Sequence, residues 1–138
     1  MKWILLFALV CISASCINKP YHGIKIGNHL TDEDNYNKNQ ALCKLIGETF
    51  NGNIAGLSSL VSFQCGGGAG CYDLGSVIDQ VIYKMGENKF ASLAEQLSKG
   101  EQNELYALID AGLEYGYRLD DRLYNKRIEL QFPILSKI

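Results

Sequence analysis

The stretch Asp73–Met85, DLGSVIDQVIYKM, decides the fold. Leu74, Val77, Ile78, Val81, Ile82 and Met85 fall at i, i+3, i+4, i+7, i+8 and i+11, the 3.6-residue period of a helix with one apolar face. Its β-branched residues alone would suit a strand. A half-buried strand, however, alternates with a period of two, and this stretch does not. The pattern predicts a helix, with Gly86 as its natural stop.

Toward the C-terminus, Asn88 offers an N-cap for a second helix carrying Phe90, Leu93, Ala94 and Leu97 on one face. Ser98-Lys99-Gly100 reads as a turn. A third stripe follows at Leu105, Leu108, Ile109, Gly112, Leu113 and Gly116. Two helices joined by so short a turn predict an antiparallel αα-hairpin. Glycine within a helix costs about 1 kcal/mol relative to alanine, so Gly112 and Gly116 on a buried stripe imply close approach of a neighbouring backbone. Beyond Leu119 the polar Asp120-Asp121-Arg122 precedes Ile128, Leu130 and Phe132, which alternate like a strand, and Pro133 bars a helix through that point. An extended C-terminal tail is expected.

Toward the N-terminus, Leu42, Leu45, Ile46 and Phe50 mark a helix over Asn37–Phe50, closed by Asn51-Gly52. Ile54–Phe63 is ambiguous: Leu57, Leu60 and Val61 suit a helix, Leu60–Phe63 a strand. Thr31 with Asp34 resembles a weak capping box, a solvated helix start rather than a calcium loop. The expected class is all-α, with about five helices in a small bundle or array.

The chain opens MKWILLFALVCISASC. Lys2, an apolar run from Trp3 to Ile12, and the small residues Ser13-Ala14-Ser15 are the order of a secretory signal peptide. The run is far short of the roughly 20 residues that span a bilayer as a helix. Ile12-Ser13-Ala14-Ser15-Cys16 resembles the lipobox of bacterial lipoprotein precursors, though Ser13 stands where the stricter pattern has Leu or Val. The resemblance implies a diacylated Cys16 as mature N-terminus, anchored on the periplasmic side of a bacterial membrane. Ordinary cleavage after Ser15, giving a soluble secreted or periplasmic protein, satisfies the same small residues. The expected organisation is a signal peptide over 1–15, a lipidated tether over 16–35 rich in Gly, Asn and Pro, and a single helical domain over 36–138.

Removing residues 1–15 leaves 123 residues, enough for one core, with a net charge of about −3. Basic residues are scattered, which argues against nucleic-acid binding. Export permits disulfides. With Cys11 discarded and Cys16 acylated, Cys43, Cys65 and Cys71 remain, an odd number that allows one bridge and one free thiol. Cys65–Cys71, across Gly66-Gly67-Gly68-Ala69-Gly70, is the favoured pair, and a bridge from Cys43 to either is the alternative.

The glycine-rich run carries no catalytic reading. It lacks the spacing of a dinucleotide fingerprint and the Lys-Ser/Thr of a phosphate loop. Gln64-Cys65-Gly66 faintly echoes thiol peptidases, but His22 and His29 both lie upstream, where those families place His downstream. The five-residue spacing between Cys65 and Cys71 is not that of structural zinc. No catalytic residue, metal ligand or cofactor is expected.

Tyr106, Asp110, Glu114, Tyr115 and Tyr117 form the candidate partner interface, since tyrosine offers contact area at low entropic cost beside acidic groups. Size, helix content and address are similar, at the level of a class only, to small helical periplasmic immunity proteins. That similarity implies a non-enzymatic protein that inhibits a secreted toxin. The alternative is a structural or assembly lipoprotein of the cell envelope. The expected contacts are a protein partner and, through the lipid, the membrane.

Overall fold

The helix read from Asp73–Met85 is the buried axis of the molecule. A computed structural model describes residues 22–31, 35–116 and 126–138. The expected signal peptide over 1–15, Cys16, Asp32–Asp34, Tyr117 and the acidic Asp120-Asp121 pair lie outside the described residues. Among the described residues the secondary structure is helical: α1 Tyr36–Phe50, α2 Ile54–Val61, α3 Gly68–Met85, α4 Glu87–Ala94, α5 Lys99–Tyr115, α6 Ile128–Gln131 and a closing 3-10 turn Leu135–Lys137. The all-α expectation holds, and the ambiguous Ile54–Phe63 stretch resolves to helix. Asn53 caps it by accepting the Ala55 and Gly56 amides.

α3 is buried continuously from Asp73 to Ile82. Three different partners cover it. Leu74, Val77, Ile78, Val81 and Ile82, each fully buried, enter one core with Leu42, Ile46, Leu57, Leu60, Phe90, Leu105 and Ile109. Each such side chain contributes about 2 kcal/mol of apolar burial. Gly75, Ser76 and Asp79 face α5, and Asp73 and Gln80 face the segment 22–31.

That segment departs from the expected tether. Ile24 and Leu30 are 1 % exposed and belong to the core. The Lys25 amide donates to Gln80 Oε1 at 2.9 Å while Gln80 Nε2 donates to the Lys25 carbonyl at 2.8 Å, the pairing a neighbouring strand would supply. His22 stacks on Phe50 of α1 with ring centroids 4.7 Å apart. A segment with two apolar hooks and no period reads as linker, yet it docks through its main chain.

Helix starts are set by caps that differ from those the periodicity suggests. α1 starts from Asn35, whose side chain accepts the Lys38 amide at 3.0 Å; the expected Thr31–Asp34 box lies in part outside the described residues. α4 starts from Gly86, not Asn88, which lies inside the helix. Ser98 is no mere turn residue. It forms a capping box with Glu101, so Lys99 and Gly100 already belong to α5. Glu101 also accepts from Ser58 Oγ, tying α5 to α2, and these hydrogen bonds, first that from Ser58 and then those from Ser98, lower its carboxyl pKa.

α5 takes α3 as its antiparallel partner, while its chain neighbour α4 serves as connector. Gln102 Nε2 closes the end of α4 by donating to the Ala94, Glu95 and Leu97 carbonyls. Over its described residues, 126–138, the expected extended tail is not extended. It coils into α6 and the 3-10 turn, burying Ile128, Phe132 and Leu135 and leaving Leu130 out. Its alternating hydrophobics suggested a strand, but burial follows the helical spacing 128, 132, 135, with Pro133 at the break.

Candidate functional site

The site grows from the contact of two backbones. A Cβ on Gly75 would overlap the Leu108 carbonyl oxygen and crowd Gly112, and one on Gly112 would overlap the Gly75 carbonyl carbon and the Ser76 amide nitrogen. A Cβ on Gly116 would strike Ser76 Oγ and the Gly112 carbonyl. The expected close approach at Gly112 and Gly116 is therefore present, and α3 supplies its other half through Gly75. Only one side of that contact lay on a stripe recognised as buried.

Close packing of α3 on α5 brings Tyr72 to Tyr115, their rings 5.1 Å apart and tilted by 35°. Tyr115 is 60 % exposed and Tyr72 37 % exposed. A hydrogen bond with Glu114, then the Glu114 charge, raises the Tyr115 phenol pKa above its usual value. Asp110 and Glu114, both exposed, line a shallow recess of about 180 Å³ with Lys126, Arg127 and Glu129. Glu114 thus lies between the Tyr115–Tyr72 pair and the recess it shares with Asp110 at the end of α5, and Tyr72 joins from α3 as a residue outside the expected set.

Tyr106 does not join them. It is half-buried against the core, its hydroxyl has no hydrogen-bond partner among the described residues, and burial followed by the Glu95 charge raises its pKa. Tyr117 lies outside the described residues.

Behind the face sits Asp79, 1 % exposed, with Oδ1 unpartnered among the described residues. Burial first, and then the charge of Asp110, hold its carboxyl pKa well above the ordinary range. A neutral carboxylic acid tolerates a low-dielectric helix contact that a carboxylate would not. The sequence places it on the polar side of α3, so nothing marked it as buried.

Cys65 and Cys71 are joined, as favoured. The bridge spans the start of α3, which begins five residues earlier than the periodicity indicated. Gly66 and Gly67 take φ of +79° and +102° to turn the chain into it. The Asp73 carboxylate accepts the His29 amide at 3.0 Å and lies 3.4 Å from His29 Nδ1. Such a pair could orient an imidazole, but the two sulfurs nearest Asp73 in sequence, Cys65 and Cys71, are bridged and offer no thiolate. Cys43 is also disulfide-bonded, so the expected free thiol does not exist; its partner lies outside the described residues. An open groove of about 510 Å³ runs between the start of α1 and the end of α2, where Lys38 Nζ sits 5.9 Å from the Phe63 ring centroid.

Among the described residues no cluster of three His, Cys, Asp or Glu could hold a metal ion, and no helix is long and apolar enough to cross a membrane. Compared with family models, curated proteins and solved structures, the chain matches none.

Proposed function

We propose that this is an exported, non-enzymatic binding protein of the immunity class, which blocks a secreted toxin through the face formed by Tyr72, Tyr115, Glu114 and Asp110. The carrying observation is the exposed Tyr72–Tyr115 pair beside two acids. It stands on two helices too tightly packed to shift, and a rigid aromatic anchor loses little entropy on binding. Asp110 and Glu114 share their recess with Lys126 and Arg127, so the face offers charges of both signs to a complementary rim, and charge complementarity of this kind speeds encounter. The leader-like N-terminus supports an extracytoplasmic place of work.

The test is binding to the product of the adjacent gene, where an immunity protein has its toxin. The wild type should inhibit that enzyme stoichiometrically. Tyr72→Ala with Tyr115→Ala should weaken inhibition at least tenfold while the helical circular dichroism stays unchanged. Undiminished inhibition by the folded double variant would remove this face from the function.

A further inference from the structure

We infer that Cys16, the residue at the end of the leader, is the disulfide partner of Cys43, and that its sulfur is therefore not a lipid attachment point. The chain has five cysteines. Cys65 and Cys71 take each other, and Cys43 on α1 is disulfide-bonded as well. Only Cys11 and Cys16 remain as partners. Cys11 lies within the apolar run of the leader and leaves with it, a step that rests on the export reading. Cys16 is what the mature chain retains.

The described residues bring the chain to the right place. His22, six residues after Cys16, is stacked on Phe50. Cys43 precedes Phe50 by seven residues on α1, two turns along the same helix face. The rise between them is about 10 Å, whereas six residues of extended chain reach up to about 20 Å. Docking of 22–31 through Ile24, Leu30 and the Gln80 clamp fixes His22 on the α1 face that carries Cys43, within reach of a residue six positions before it. The two Cys thiols lose two protons and two electrons to the disulfide of an exported thiol oxidase, which leaves as its dithiol. One sulfur cannot hold both this bond and a diacylglyceryl thioether. The bridge therefore makes the protein a soluble exported domain with a cross-linked N-terminus.

The test is a peptide map of the full chain, expressed with its own leader in an exporting bacterial host, purified without reductant and blocked with N-ethylmaleimide before trypsin digestion. Expected is peptide 16–25 linked to peptide 39–44, the link vanishing on reduction, and release of wild type and Cys16→Ser alike by osmotic shock. Peptide 16–25 carrying a diacylglyceryl mass or a maleimide, or a wild type that pellets with membranes while Cys16→Ser does not, would overturn the bridge and leave the toxin-binding face untouched. Peptide 39–44 linked to peptide 3–25 would overturn the export reading, and a link that fragmentation places on Cys11 would overturn this pairing as well.

Discussion

Gly75 of α3 and Gly112 of α5 meet backbone to backbone, with no room for a methyl group on either. This contact sets the helix separation and, through it, the Tyr72–Tyr115 pair. Gly75→Ala or Gly112→Ala should each destabilise the fold by about 1–3 kcal/mol, the range for forcing extra volume into a packed contact. Gly100, in the first turn of α5 with open space around it, is the control. Gly100→Ala should leave stability unchanged or raise it by up to about 1 kcal/mol. Urea unfolding followed by circular dichroism separates the cases. Equal midpoints for all three variants would refute the close approach.

Asp79 makes stability depend on pH in an unusual direction. Its folded pKa is raised above the unfolded one, so the unfolded chain releases the proton first. The stabilising contribution of the neutral acid is complete below the unfolded value of about 3.9 and is lost as pH climbs from there through the folded value. Asp79→Asn keeps a neutral side chain of the same shape. The variant should therefore melt higher than wild type at pH 7, with the gap closing toward pH 4. A wild type that gains stability over Asp79→Asn as pH rises would show that the carboxylate is paired.

The apolar face of α3 was legible because Leu74, Val77, Ile78, Val81 and Ile82 repeat with the helix. Its other faces were not. Periodicity assigns Asp73, Ser76, Asp79 and Gln80 to solvent, yet Asp73 and Gln80 are buried by the weakly patterned segment 22–31, and Ser76 and Asp79 by the glycines of α5. The segment 22–31 has only Ile24 and Leu30 to announce it, and its further hold is main-chain hydrogen bonding and two histidine contacts, none of which marks a periodic pattern. Half of the candidate face was legible for the same reason. Tyr115, Glu114 and Asp110 lie on one helix, whereas Tyr72 reaches them only through the Gly75–Gly112 contact. Tyr106, two turns before Glu114, shares their helix but turns its ring into the core.

Gln80 holds the N-terminal segment by bonding both the amide and the carbonyl of Lys25. Gln80→Ala leaves these two main-chain groups without their partner, at about 1–3 kcal/mol for a buried group left unsatisfied. The loss should be local before it is global. Trypsin should cut after Lys25 several-fold faster in Gln80→Ala than in wild type, under conditions where the helical signal is unchanged. Equal cleavage rates would mean that the segment is held without Gln80, by Ile24, Leu30 and the His22 and His29 contacts.

The Cys65–Cys71 bridge closes a loop whose ends are six residues apart in sequence. A cross-link that short removes little freedom from the unfolded chain, about 2 kcal/mol by loop entropy. The double change Cys65→Ser, Cys71→Ser should lower stability by about that amount without abolishing folding, because the core of α3 begins at Leu74, beyond the bridge. The damage should concentrate in the first turn of α3, where Gly68 and Gly70 are poor helix formers. Amide exchange should accelerate over 68–72 and hold steady over 77–82. Exchange that accelerates equally along all of α3 would show instead that the bridge nucleates the whole helix.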